Sequence, residues 1–177
     1  MAIDLAGGDG AGALWLALLG FSPVLVEVSD VALLLAEQAA NERGVDLVTS
    51  RVDLTDETIA SVVHRIGGDP GTEAVAAQPV ALIGCFHYLN RRLLASVAAG
   101  LPAGAMFLAS IATMTNLERN ERPSARFLLQ PGELRSLVVD GVESAPETGL
   151  DVIHDAEGWT PEGTHEATII VSRSPLK

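Results

Sequence analysis

The sequence predicts a doubly wound α/β fold, a mostly parallel sheet of seven strands in one domain spanning residues 1–177. Three observations predict it. The early apolar runs are continuous, as in strands buried on both faces, and not alternating. Each is followed by turn or capping residues and then a stretch of helical spacing, which makes five successive βα units. The last two strands come as a pair with no helix between them. A chain of 177 residues, 48% of them apolar, has enough material for a real core and is not disordered. Crossovers between the parallel strands are expected to be right-handed.

The first strand is the short run to Leu5. A glycine-dense turn, Ala6-Gly7-Gly8-Asp9-Gly10, leads into a helix over about 11–19. Gly20-Phe21-Ser22-Pro23 ends that helix and opens a second strand, 24–28, which closes on the acid Glu27. Ser29 is the expected N-cap of the next helix, with Asp30 in its first turn. That helix, Asp30–Arg43, carries Leu34, Leu35 and Gln38 at helical spacing, its alanines fill the packed face, and Gly44 is the stop. A third strand over 45–52 precedes Asp53-Leu54. Thr55 is expected to cap a helix to about residue 65, and Gly67-Gly68-Asp69-Pro70-Gly71 reads as loop.

Residues 79–85 form the fourth strand, ending at Phe86-His87-Tyr88. Asn90 caps a helix through residue 99, closed by Gly100, and 105–110 is the fifth strand. The long irregular segment 111–130 carries Met114, Asn116, Arg119, Arg122 and Arg126, and long loops in compact domains are often functional. Pro131-Gly132-Glu133 opens a helix to about residue 139. Strands over 150–154 and 166–173, joined through Gly158-Trp159-Thr160-Pro161, complete the chain. There is no internal repeat and no low-complexity tract.

Charge and composition narrow the function. Twenty-three acids against 11 Lys and Arg give a net charge of −12, whereas a nucleic-acid partner needs a basic face to neutralise phosphates. No apolar run approaches the roughly 20 residues of a membrane span, and the acid at position 4 does not fit a signal peptide. The single cysteine, Cys85, has no internal disulfide partner, which fits a reducing cytoplasm. One cysteine with His64, His154 and His165 offers no metal-ligand spacing.

The organising feature is the first turn. A strand, a glycine turn and a helix N-terminus together make a nucleoside-binding corner at the carboxyl edge of a parallel sheet. Two chemistries use it. Gly8-Asp9-Gly10-Ala11-Gly12-Ala13 matches the dinucleotide pattern, but that site brings a pyrophosphate close, and Asp4 and Asp9 would repel it. A ligand with an ammonium and a sulfonium suits an acidic turn. Asp4-Leu5-Ala6-Gly7-Gly8-Asp9-Gly10 resembles the Asp-Leu-Gly-x-Gly-x-Gly turn of class I S-adenosylmethionine-dependent methyltransferases.

The resemblance extends along the chain. Phe21-Ser22-Pro23-Val24-Leu25-Val26-Glu27-Val28-Ser29-Asp30 is similar to that family's second strand and helix, whose strand-end acid binds both ribose hydroxyls. A carboxylate can accept from both hydroxyls of a diol. Asp53-Leu54 is similar to the acid–apolar pair flanking adenine, the acid taking the amine and the leucine covering the ring. Cys85-Phe86-His87-Tyr88-Leu89-Asn90-Arg91, Leu101-Pro102-Ala103-Gly104-Ala105 and Phe127-Leu128-Leu129-Gln130-Pro131-Gly132-Glu133-Leu134 then follow in family order. They resemble small bacterial methyltransferases grouped with tellurite-resistance proteins.

The resemblance implies a Rossmann-like methyltransferase fold with an antiparallel C-terminal strand. It also implies S-adenosyl-L-methionine as cofactor, contacted by Asp4, Ala6, Gly7, Gly8, Gly10, Glu27, Val28, Asp53, Leu54, Cys85 and Phe86. Departures are Ala6 for the first turn glycine, acceptable only at negative φ, Pro79-Val80-Ala81 for the usual aromatic–Asp strand opening, and the near absence of leader helices before the first strand. That last departure implies a site open to solvent and weak cofactor binding.

Each candidate has a structural alternative. Asp4 can cap turn amides, and Glu27 can be a solvated strand end. His87 sits where a catalytic base or substrate contact belongs, since imidazole titrates near neutrality, or it is structural. Cys85 is more simply a small buried hydrophobe, and Trp15 is most simply core. Methyl transfer asks mainly for alignment; an oxygen or nitrogen acceptor additionally calls for a base, and His87 is the first candidate. The expected function is methyl transfer to a small-molecule acceptor. The alternatives are a non-catalytic methyltransferase-like domain binding a nucleoside ligand or partner protein and, third, a dinucleotide oxidoreductase. Acceptor identity and oligomeric state are left open.

Overall fold

The short apolar runs pair side by side because each can satisfy its backbone only in a ladder while burying side chains on both faces. In chain order the elements are β1 (Ala2–Leu5), α1 (Ala11–Leu18), β2 (Pro23–Glu27), α2 (Asp30–Arg43), β3 (Val48–Arg51) and α3 (Ile59–Gly68). Then come β4 (Leu82–Phe86), α4 (Arg91–Ala95), α5 (Val97–Gly100), β5 (Met106–Ala112), α6 (Glu133–Val138), β6 (Leu150–Trp159) and β7 (His165–Arg173). The computed structural model describes residues 1–68, 71–72, 75, 77–139 and 150–174. Its seven strands lie in the order β3-β2-β1-β4-β5-β7-β6. Strands β1 to β5 are parallel, and β7 inserts antiparallel between β5 and β6.

Register divides the sheet into two unlike faces. Ile3, Val24, Ile83, Phe107 and Ile169 point to one side, all fully buried. There they meet Ile59 and Val62 of α3, Leu93 and Leu94 of α4, Val97 of α5, and Leu134 and Val138 of α6. On the other face Leu25 meets Ala13 of α1 with Leu33 and Ala36 of α2, and this cover stops at β1. Beyond it Leu82, Leu108 and Ile170 are only partly buried and Met106 is exposed. Among the described residues no helix covers this half of the sheet.

Caps explain the boundaries. Ser29 Oγ accepts from Ala32 N at 3.3 Å and Gly44 closes α2 at φ 63°, both as expected. Asn90 Oδ1 accepts from Leu93 N at 3.0 Å, but the helix it starts breaks at Ser96 and does not run on to residue 99. Ser96 Oγ donates to Leu93 O at 2.6 Å and accepts from Ile59 N at 2.9 Å. Thr55 caps nothing. Thr58 starts α3, its Oγ1 accepting from Ser61 N at 3.2 Å while Ser61 Oγ accepts from Thr58 N at 2.8 Å, a reciprocal capping pair. Gly67 and Gly68 belong to α3 and not to a loop; Asp69 and Pro70 lie outside the described residues.

Several expected boundaries move. The fourth strand starts at Leu82, although Ala81 already bonds to both neighbours, its N–H donating to Met1 O at 2.9 Å and its O accepting from Met106 N at 2.9 Å. The final hairpin is longer than expected, turning over 160–164 with Gly163 at φ 86°. On α2 the buried face is Leu33, Ala36 and Ala40, while Leu34 and Leu35 are about half exposed. The 111–130 segment begins as the end of β5 and continues through two 3-10 turns, Met114–Glu118 and Ala125–Phe127.

Candidate functional site

Parallel strands in register bring their carboxyl ends to one edge, so residues far apart in sequence meet there. Asp4 from β1, Glu27 and Val28 from the end of β2, Asp53 and Leu54 after β3, and Phe86 and His87 after β4 line one cleft of about 1000 Å³. Ala6, Gly7 and Gly8 form its turn-side wall.

Asp4 is 1% exposed, and its Oδ2 has no hydrogen-bond partner. Burial pushes its carboxyl up to about 6, against the opposing pull of the Ala13 backbone N–H. The glycines beside it are required by space. A Cβ on Gly7 would lie 2.5 Å from Asp4 Oδ2 and from Leu25 Cδ1, and one on Gly12 would lie 2.8 Å from Oδ2.

Glu27 joins two turns. Its Oε1 accepts from Val28 N at 2.8 Å and Ser29 N at 3.0 Å, and Oε2 accepts from Gly8 N at 3.1 Å. A carboxylate offers about four acceptor positions, so these three bonds leave one on Oε2 unused, on a residue that lines the cleft. Glu27 is therefore not merely a solvated strand end. Asp53 Oδ1 accepts from Thr55 N at 2.9 Å and Thr55 Oγ1 at 2.6 Å, which holds its carboxyl below the usual range. Asn90 Nδ2 donates to Leu54 O at 2.7 Å and fixes this loop against α4.

Some expectations need correcting. Ala6 sits at φ 53°, not at a negative φ; its N–H donates to Val26 O at 2.8 Å, and the left-handed turn costs an alanine about 1–2 kcal/mol. Gly10 and Cys85 are not on the cleft wall. Gly10, at φ 83°, faces α2, where a Cβ would come 2.6 Å from Ala36 Cβ, so it serves helix packing. Cys85 points into the opposite core; its Sγ donates to Tyr88 O at 3.5 Å, and burial pushes the thiol up to about 12. Trp15 is not core: it is 59% exposed and lines the cleft. Leu82, Leu108 and Tyr88 also line it and were not anticipated. For the two leucines the signal was the continuous apolar run, which does not say which face is bare.

His87 stands at φ 55° with its side chain exposed at the cleft rim, its N–H donating to Ser110 O at 2.8 Å. His165 is held elsewhere, its Nδ1 2.7 Å from Thr113 Oγ1 and its ring edge-on to Trp159. Among the described residues no cluster of three or more His, Cys, Asp or Glu could hold a metal, and no helix is long and apolar enough to cross a membrane.

No family model matches the sequence, and no curated protein does. Solved structures do. A S-adenosylmethionine-dependent methyltransferase from Clostridium acetobutylicum is 13% identical, with 98% of this chain and 83% of that chain covered at a TM-score of 0.64. TehB from Haemophilus influenzae is 14% identical, with 98% of this chain but 57% of that chain covered at 0.62. The magnesium protoporphyrin IX methyltransferase of Synechocystis, with S-adenosylhomocysteine bound, is 16% identical over 98% and 74% at 0.64. The chain thus has the Rossmann-like methyltransferase fold, a seven-stranded sheet with an antiparallel C-terminal strand.

Proposed function

We propose that the chain is an S-adenosylmethionine-dependent methyltransferase acting on a small molecule. The observation that carries this reading is Asp4: a carboxylate 1% exposed with an unpaired oxygen, placed where the fold receives a nucleoside-bearing ligand. Burying an unpaired acid is costly. A ligand ammonium and sulfonium would relieve that cost, and a pyrophosphate would add to it.

The remaining residues fit the same group. Asp4 and the exposed Asp9 would hold its cationic end, Glu27 would accept from its ribose, and Val28, Asp53 and Leu54 would receive adenine, all of them lining the cleft. A second ribose hydroxyl at Glu27 would have to displace the Gly8 N–H from Oε2. When bound, the cofactor supplies a methyl group on a cationic sulfur that is already a good leaving group. The chain then has only to orient an acceptor and exclude water. A small-molecule acceptor is supported by the net charge of −12 and by the porphyrin methyltransferase among the structural neighbours.

Thermal unfolding with S-adenosylhomocysteine, S-adenosylmethionine and NADH tests the reading. Ligand at 100 times Kd stabilises the fold by about 2.7 kcal/mol. Stabilisation by NADH and not by S-adenosylhomocysteine would refute it. A nucleoside-binding domain without catalysis would show the shift but no methyl transfer to any acceptor.

A further inference from the structure

One polar cluster stands beside the cofactor contacts and takes no part in them. His87 follows β4 in the left-handed region, at φ 55°, a conformation uncommon for a residue other than glycine and one that histidine adopts more readily than most. The turn sets its Nδ1 3.6 Å from Glu166 Oε1. Glu166 is a held acid, its side chain 11% exposed. Its Oε2 accepts from Ser110 Oγ at 2.6 Å and its Oε1 from Thr164 Oγ1 at 2.9 Å, while Ser110 Oγ also pairs with Thr168 Oγ1 at 2.8 Å. Those hydroxyls orient the carboxylate without neutralising it. The imidazole beside it can take up a positive charge.

Sheet register places Ser110, Thr168 and Glu166 on the same face as Leu82, Gly84 and Leu108, the face that α1 and α2 leave bare. The cluster is therefore the polar end of an apolar floor. Gly84 shapes that floor, since a Cβ there would lie 2.9 Å from Phe86 Cε2; the glycine lets the Phe86 ring fold back against the strand. With Tyr88 and Trp15 also lining the cleft, three aromatic side chains border the floor, a composition that suits a planar aromatic molecule.

We infer that Glu166 positions His87 as the base of this site, and that the acceptor is a planar, apolar molecule carrying an ionisable hydroxyl, of the phenol class. The inference rests on the methyltransferase reading. As the acceptor's O–H bond breaks, the proton bonds to Nε2 of His87 and the electron pair stays on oxygen, which becomes the nucleophile. The imidazolium so formed faces the Glu166 carboxylate, a contact that strengthens only when the ring is charged. A soft sulfur acceptor would need neither residue.

The probe is 4-nitrophenol, which is coloured as the phenolate. On the chain saturated with S-adenosylhomocysteine, the bound probe is expected to show a larger phenolate band than the free probe at the same pH. Glu166→Gln reduces the excess and His87→Asn abolishes it. Asparagine tolerates the left-handed region and the side chain is exposed, so His87→Asn keeps the fold. With a phenolic acceptor, His87→Asn lowers kcat by about 10²–10⁴-fold with KM little changed. An unchanged phenolate band in both variants, or no binding of the probe to the unaltered chain, overturns the inference while S-adenosylhomocysteine binding stands. Failure of S-adenosylhomocysteine to bind overturns the methyltransferase reading and this inference with it.

Discussion

Asp4 should make the ligand-free protein less stable as pH rises. Its carboxyl lies at about 6 in the fold against an ordinary 3.8, because burial penalises the charged form more than the Ala13 N–H favours it. Below the unfolded value both states hold the proton and nothing is lost. Between the two values the unfolded chain has ionised and the folded one has not, so stability declines. Above about 6 the full penalty is present. At 1.36 kcal/mol per pH unit it comes to about 3 kcal/mol, a large share of the 5–15 kcal/mol typical of a domain, roughly.

Urea unfolding of the unaltered chain and Asp4→Asn, from about pH 3.5 to pH 8, isolates this contribution. Other carboxylates titrate alike in both proteins, and any fixed cost of the new amide is independent of pH. The stability difference between the two should therefore drift by about 3 kcal/mol in favour of Asp4→Asn as pH rises. Parallel profiles would show that Asp4 is solvated or partnered in the fold, so that its carboxylate calls for no cationic ligand. The same linkage makes a cationic ligand bind more tightly as pH rises through about 6, with proton release seen in calorimetry as a buffer-dependent enthalpy.

Other substitutions probe the rest of the cleft. Glu27→Gln replaces a charge-assisted contact worth about 1.5–3 kcal/mol, so calorimetry should show roughly 10–100-fold weaker S-adenosylhomocysteine; unchanged affinity removes the ribose role. Gly7→Ala should unfold the protein or sharply lower Tm, since its Cβ meets Asp4 and Leu25 at 2.5 Å. Gly8→Ala, with nothing within 4 Å, should keep the fold and lose only about 1–2 kcal/mol for its left-handed φ; equal losses at both positions contradict the turn geometry. Ligand binding should quench fluorescence through Trp15, one of two tryptophans, and Trp15→Phe should abolish the change without altering Tm by more than a few degrees.

The sequence alone determined the βα repeat and the strand-end positions of Asp4, Glu27 and Asp53. Continuous apolar runs mark strands buried on both faces, and parallel strands necessarily bring their carboxyl ends to one edge. Caps at Ser29, Gly44 and Asn90 were equally local, because a cap is a bond between residues three or four apart. Tertiary structure alone decided the rest. Helix α1 is apolar nearly all round, so nothing in its periodicity could say that Leu14 and Leu16 face inward and Trp15 outward. Gly10 matched a ligand-binding pattern, yet its missing Cβ serves the approach of Ala36, a contact fixed only when two helices pack on one sheet face. Glu166 had no local signal at all: it reaches His87 because β7 inserts beside β5. Strand order is set by how the whole sheet buries its two faces, and no window of sequence contains that information.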